Sequence, residues 1–175
     1  MSDKYDSASD TMRHISRVRQ LMENMAGEIL LRSGEHDKSK LENPEKATFD
    51  EVTPLLRGLT YGSPEYNESL AKMKPALDHH YAENRHHPEH FKNGINDMNL
   101  VDIMEMLCDW KAATERHADG DIAKSLEINK GRFVMSDQLV GVLKNTVEAL
   151  IDTPATAYAL GEQPTARFAE EEDGK

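Results

Sequence analysis

The sequence predicts an all-α fold, and three observations carry that prediction. Apolar residues recur at three- and four-residue intervals, no stretch alternates with period two for long, and helix-start signals punctuate the chain. A chain of 175 residues without internal repeats fits a single domain, large enough to bury a core without disulfides or structural metal. That domain is placed at residues 10–160, after a flexible N-terminal stretch at 1–9. It precedes a flexible acidic tail at 161–175, which holds Glu170-Glu171-Glu172-Asp173 and lacks the apolar residues needed to offset the entropy of ordering.

The first element covers about residues 10–32. Ile15, Val18, Met22, Met25 and Ile29 fall on one helical face, His14 shares it four residues before Val18, and Arg13, Arg17 and Glu23 turn outward, so a buried face is expected. Gly34 supplies a stop. Asn43-Pro44 and Ser63-Pro64 each read as an N-cap followed by proline at the first helical position, where the missing amide costs nothing, with glutamate next. Pro75 lies too deep in the second of these helices to open it, so it kinks the helix or restarts it before His79-His80. Asn93-Gly94 marks a turn, and Asn99 caps a helix over about 100–117. On that helix Leu100, Ile103, Met104 and Leu107 form one apolar side, Met106, Cys108, Ala112 and Ala113 soften the rest, and Asp102, Glu105 and Asp109 form a single acidic stripe. The last element starts at Ser136 and carries Leu139, Val142, Leu143, Val147 and Leu150 to a stop near Pro154.

Composition narrows the function. Lys and Arg number 21 against 32 Asp and Glu, a net charge of -11, so the chain repels nucleic-acid backbone and no polymeric DNA or RNA partner is expected. A small phosphorylated ligand stays open, because a divalent metal and a few local cations set the potential inside a pocket. The single cysteine, Cys108, excludes an internal disulfide and a Cys-rich zinc site, and argues for the reducing cytoplasm. No apolar run suits a bilayer and the polar start, Met1-Ser2-Asp3-Lys4-Tyr5-Asp6, is unlike a signal peptide, so no membrane partner is expected.

Five of the eight histidines fall in the run His79-His80-Tyr81-Ala82-Glu83-Asn84-Arg85-His86-His87-Pro88-Glu89-His90. Imidazole is the commonest transition-metal ligand near neutral pH. With His36-Asp37 upstream and Asp109 downstream, the chain offers the nitrogen and oxygen donors that a hard-to-borderline divalent metal prefers. Trp110 and Cys108 favour burial of Asp109, and a buried carboxylate needs a cation or donors to stay charged. Adjacent histidines on a helix point about 100 degrees apart, so not all five bind. His80 with His86 or His87 is the expected set, and His79 and His90 are bystanders or supports. Glu105, one turn before Asp109, is placed to orient a liganding histidine or to accept a proton. Lys40, Arg85 and Lys111 are the cations nearest those ligands in sequence, suited to substrate phosphate and to charge developing on a phosphoryl group. Tyr81 and Trp110 are suited to stack on a base.

His36-Asp37-Lys38-Ser39-Lys40 resembles the His-Asp-x-Gly-Lys signature of the HD superfamily of all-helical metal phosphohydrolases and phosphodiesterases, with Ser39 replacing the usual glycine and Lys40 matching the phosphate-facing lysine. His86-His87-Pro88-Glu89-His90-Phe91-Lys92-Asn93-Gly94 resembles a segment of the cyclic-dinucleotide phosphodiesterases of that superfamily. Pro88 is inserted and the Gly-Tyr-Pro of that branch is missing, so its specificity does not carry across. Asp109 matches the superfamily's late helical aspartate. Residues 84–90 followed by Cys108-Asp109-Trp110-Lys111-Ala112-Ala113 also resemble an uncharacterised family of HD-like proteins from phages and bacteria. The resemblance runs from His14 to about Leu150 and implies a single-domain HD-type helical bundle. It implies His14 as the remaining ligand of a first metal held by His36, Asp37 and Asp109, while His80 and either His86 or His87 hold a second.

The expectation is a metal-dependent phosphohydrolase using one or two divalent ions (manganese, iron, zinc, cobalt or nickel) to activate water against the phosphate ester of a nucleotide, as a monophosphatase or a phosphodiesterase. Asp37, Lys40, Glu105 and Lys111 are the catalytic candidates, and Lys40, Arg85 and Lys111 the substrate-binding ones. The glutamate that monoesterase branches use shortly after the His-Asp pair has no counterpart, since Lys40 and Leu41 stand there. The compartment is the cytoplasm, the host's if the chain is phage-encoded, and a homo-oligomer is compatible. The alternative is a non-catalytic helical module that captures a nucleotide or protein partner, such as a phage-encoded modulator of a host pathway.

Overall fold

The computed structural model describes residues 6–57, 63–116 and 120–151. It is all-α, with seven α-helices and short 3₁₀ turns, and no strand occurs among the described residues. The chain divides into two compact units, residues 1–112 and 113–175. In the first, α1 (Ala8–Glu35) leads through a 3₁₀ turn (Lys38–Leu41) to α2 (Glu45–Arg57), α3 (Pro64–Lys72) and α4 (Lys74–Glu83). Two further 3₁₀ turns (Pro88–His90 and Gly94–Asp97) precede α5 (Leu100–Thr114).

Local chemistry explains most boundaries. Pro64 opens α3, and Pro75 marks a restart: α3 ends at Lys72 and α4 opens at Lys74, with Pro75 in the first turn where its missing amide has no partner to lose. Asn99 Oδ1 accepts from the amides of Val101 and Asp102 at 2.8 and 3.0 Å. Gly34 does not stop α1. The helix runs on to Glu35, and Asp37 adopts the left-handed conformation, at φ 57°, that turns the chain out of it. Aspartate enters that region more readily than branched residues do.

The core of the first unit has an unusual composition. Val52, Met73, Ala76, Val101, Met106 and Leu107 are buried, and so are Glu45, His80, His86 and Asp102. Ionisable groups are held inside only when paired or bound to a cation, so the centre of this unit is a polar site wrapped in helices.

Two expected faces differ from the structure. No residue of α1 is buried, although a buried stripe is expected from its spacing. The helix is 28 residues, about 42 Å long at 1.5 Å per residue, while every other helix of its unit has 15 residues or fewer. Only its C-terminal turns meet them. α5 is two-sided rather than apolar all round: Val101, Met106 and Leu107 are buried, whereas Leu100, Met104 and Cys108 form an exposed row at four-residue spacing.

In the second unit Asp121 caps α6 (Ile122–Phe133) by accepting from the amides of Ala123 and Lys124, and Ser136 caps α7 (Asp137–Thr146) by accepting from Leu139. A π-helical turn (Val147–Ile151) follows. Leu126, Met135, Val140, Leu143 and Val147 are its buried residues. α1 begins inside the stretch expected to be flexible. The expected stop at Pro154 and the expected tail at 161–175 lie outside the described residues. No described helix is long and apolar enough to cross a membrane.

Candidate metal centre

Four pieces of the first unit converge. The end of α1 and the turn after it supply Arg32, His36 and Asp37, and α4 supplies His79 and His80. The segment after α4 supplies Arg85, His86 and His87, and the acidic stripe of α5 supplies Asp102, Glu105 and Asp109.

Asp37 is the hub. His80 Nε2 and His86 Nε2 lie 3.3 and 3.5 Å from its Oδ1. His36 Nε2 lies 3.6 Å from its Oδ2 and 3.7 Å from Asp109 Oδ1. His87 Nε2 is 2.9 Å from His80 Nε2. Two donors each about 2.1 Å from one ion stand about 3.0–3.4 Å apart at octahedral or tetrahedral angles, so these separations are close to those of atoms sharing a cation. Besides the trio His36, His86 and Glu105, two donor groups result among the described residues, one of Asp37, His80, His86 and His87 and one of His36, Asp37 and Asp109, with the donor atoms of each within 4.8 Å of one another. Asp37 belongs to both. Its Oδ1 and His86 Nε2 are buried without a hydrogen bond, a costly state that a cation between them relieves. The donor set fits a divalent metal ion of borderline character.

The other edges of these rings are held from behind. Glu105 Oε1 accepts from His36 Nδ1 at 2.9 Å and from His86 Nδ1 at 3.0 Å. Fully buried Glu45 accepts from His80 Nδ1 at 2.9 Å and from His79 Nδ1 at 2.8 Å. With Nδ1 donating to a carboxylate, the Nε2 edges of His36, His80 and His86 face the Asp37 side, the arrangement that fixes ring orientation at metal sites. Ser39 Oγ donates to Glu45 Oε2 at 3.0 Å and accepts from Asn84 Nδ2 at 2.8 Å. Arg32 pairs with both Glu105 and the fully buried Asp102, and Arg85 makes a two-pronged pair with Asp102 at 3.1 and 3.0 Å.

These contacts set the charges. Burial disfavours ionisation of Asp37, but the His80 contact and the Lys40 ammonium outweigh it and hold the carboxyl well below the usual range. Glu105 follows the same pattern, burial being overcome by His36, His86 and Arg32. Asp109 is lowered against its burial, chiefly by His36. In return Asp109 and Glu105, helped by Asp37, raise His36 to about 10 in spite of its partial burial. His87 moves the other way: burial first, then its neighbours His86 and His80, lower it to about 3, so it is neutral and able to ligate.

Of the residues expected at the site, His36, Asp37, His80, His86, His87 and Asp109 come together as donors, and Glu105 stands behind two of them. His14 does not join them. It is exposed on α1, 22 residues and about 33 Å of helix rise before His36; α1 is one unbroken helix, so its N-terminal half cannot return to its own C-terminal end. Lys40 Nζ is 2.6 Å from Asp37 Oδ2. Arg85 is engaged by Asp102, with its guanidinium 4.9 Å from the Phe91 ring centroid, and reads as a brace of the site rather than a free cation. Lys111 is half-buried on α5 outside both donor groups. His79 supports through Glu45, and His90 Nδ1 donates to the Tyr81 carbonyl at 3.0 Å. Arg32, Glu45, Asn84 and the anchoring role of Asp102 are additions from the structure. Glu45 carries only a helix-start signal in the sequence, whereas Asp102 belongs to the acidic stripe.

Neither the curated proteins nor the solved structures contain a match to this chain. Residues 3–156, most of the chain, match the Family of unknown function (DUF5662), and the chain belongs to that family.

Proposed function

We propose that this chain is an HD-type metal-dependent phosphohydrolase that acts on a small phosphate ester, a nucleotide or nucleotide-like molecule, at a site built on Asp37. The observation that carries the reading is the common orientation of three imidazoles: His36, His80 and His86 give Nδ1 to Glu45 or Glu105 and Nε2 to the Asp37 side. The donor groups support one ion on Asp37, His80, His86 and His87 and a second on His36, Asp37 and Asp109, with one Asp37 oxygen toward each. A divalent ion supplies Lewis acidity toward a phosphoryl oxygen and makes water acidic enough to react near neutral pH.

The chain's own residues do the rest. Lys40, 34 % exposed and 2.6 Å from Asp37 Oδ2, keeps that carboxylate charged at the edge of the cluster and is the first candidate for a shared contact with substrate phosphate. Lys111, two residues beyond Asp109, is the second candidate for that role. Glu105 positions imidazoles rather than taking a proton, because its oxygens are engaged by His36, His86 and Arg32 and its lowered pKa makes it a poor base. The expected compartment is reducing, where Cys108 stays a thiol.

Turnover tests the proposal. Protein loaded with manganese, iron or zinc is offered nucleoside monophosphates and cyclic nucleotides; the expected result is hydrolysis that a chelator stops and Asp109→Ala removes. Nucleotide binding without turnover, equally tight in Asp109→Ala, would replace the enzyme with the helical binding module.

A further inference from the structure

The two donor groups built on Asp37 are not equivalent. The group of Asp37, His80, His86 and His87 offers four donors, three of them imidazoles, and His80 and His86 are buried. Separations between its donor atoms include 2.9, 3.3 and 3.5 Å. The group of His36, Asp37 and Asp109 offers three donors, all half-buried, and His36 Nε2 lies 3.6 and 3.7 Å from its two carboxylate partners. For a borderline ion that favours imidazole, fewer and more widely set donors make the second group the weaker one.

A cation of the chain itself already stands in that second group. Lys40 Nζ is 2.6 Å from Asp37 Oδ2, the oxygen that His36 Nε2 faces, whereas Asp37 Oδ1 faces His80 and His86. Local geometry returns the ammonium to this oxygen: Lys40 lies in the 3₁₀ turn that Asp37 opens, and its amide donates to the Asp37 carbonyl at 2.9 Å. A dication on Oδ2 meets the ammonium at close range, where water and salt screen the repulsion only in part. The Phe49 ring, its centroid 5.9 Å from Lys40 Nζ, offers a displaced ammonium a second partner.

We propose that Lys40 governs the second metal position: its ammonium holds Asp37 Oδ2 against a second ion, so the histidine-rich group binds one ion tightly and the group of His36, Asp37 and Asp109 binds another weakly and exchangeably. The inference rests on the metal-centre reading of this site and not on the reaction assigned to it.

Equilibrium dialysis of the full chain against cobalt(II), an ion that accepts both imidazole and carboxylate, counts the ions and separates their affinities. Wild type is expected to bind two ions in separate steps, and Asp109→Asn to lose the weaker step alone. Lys40→Met keeps the apolar stem and removes the charge; it is expected to tighten the weaker step by about tenfold or more and the stronger step less, while Lys40→Arg stays near wild type. Lys38→Met controls for net charge, because Lys38 pairs with Glu35 at 2.6 Å outside both donor groups, and it is expected to change neither step. Circular dichroism confirms the fold of each variant. The proposal is overturned by two steps of equal affinity in wild type, by a weaker step that is unchanged or missing in Lys40→Met, by equal tightening in Lys38→Met or Lys40→Arg, or by loss of the stronger step in Asp109→Asn. Those results leave the metal-centre reading standing, whereas a wild type that binds no cobalt overturns both.

Discussion

Replacing Glu105 by glutamine removes one charge and almost no volume, and the contacts of Glu105 bound the effect. Its Oε1 accepts from His36 at 2.9 Å and from His86 at 3.0 Å, while Oε2 faces Arg32. A glutamine that keeps its oxygen on the imidazoles turns its amide toward the Arg32 guanidinium; a flipped one sets N–H against two N–H donors. Neither orientation satisfies the site. Loss of the carboxylate behind one metal-binding histidine costs about 10- to 100-fold in metal affinity, or about 1.4–2.7 kcal/mol. Two proposed ligands share Glu105, so Glu105→Gln is expected near the upper figure. Glu45 supports only His80 among the proposed ligands, so Glu45→Gln is expected near the lower one. Competition titration with a chelating indicator at neutral pH measures both, with circular dichroism confirming the fold. Unchanged affinity in folded Glu105→Gln, or a greater loss in Glu45→Gln, refutes the reasoning.

The same geometry gives three further expectations. In the metal-free chain His36, raised from 6.5 to about 10, stabilises the fold fully below about 6.5 and loses that contribution as pH rises toward 10. His87, depressed from 6.5 to about 3, removes stability as pH falls below 6.5, because the unfolded chain then binds the extra proton. Asp37 and Glu105, both lowered, add to that acid loss below the ordinary carboxylate range. The melting temperature is therefore expected to decline on both sides of roughly pH 6.5, with manganese flattening the alkaline side; an alkaline side equally steep with and without the ion contradicts this. Asp102→Ala leaves Arg32, 15 % exposed, and the half-exposed Arg85 without their shared buried partner and is expected to destabilise the fold by about 3–5 kcal/mol, read from the denaturant midpoint. His14→Ala is expected to leave bound metal unchanged while His36→Ala lowers it; equal losses measured by elemental analysis would return His14 to the site.

Much of the site was legible because its donors are clustered along the chain. His36-Asp37, the histidines of 79–90 and the Asp102-Glu105-Asp109 stripe are each local patterns, and helix geometry turns each into a set of neighbouring side chains. The supports were not legible. Glu45 meets His80 only because α2 packs beside α4, and Arg32 meets Asp102 across 70 residues of sequence. No spacing rule encodes such contacts. Helix starts at Pro64, Asn99 and Ser136 were readable from capping chemistry, whereas α6 has a cap at Asp121 but no clear apolar stripe to go with it, its apolar positions being divided between buried Leu126 and exposed Ile128. The first helix misleads for a physical reason: amphipathic spacing states that a face is apolar, not what covers it. His14 was drawn toward the site by that expected burial and by resemblance, and an unbroken helix holds it away.

Metal binding by Asp37 and the surrounding imidazoles underlies every step proposed for this chain. Elemental analysis of the protein purified without a polyhistidine tag tests it most directly, comparing wild type with His36→Ala/Asp37→Ala, which removes the hub and one of its donors. Near-stoichiometric metal in wild type, lost in the double variant, is the expected result. A wild-type protein that holds no metal, even after reconstitution with manganese, iron or zinc, contradicts the account.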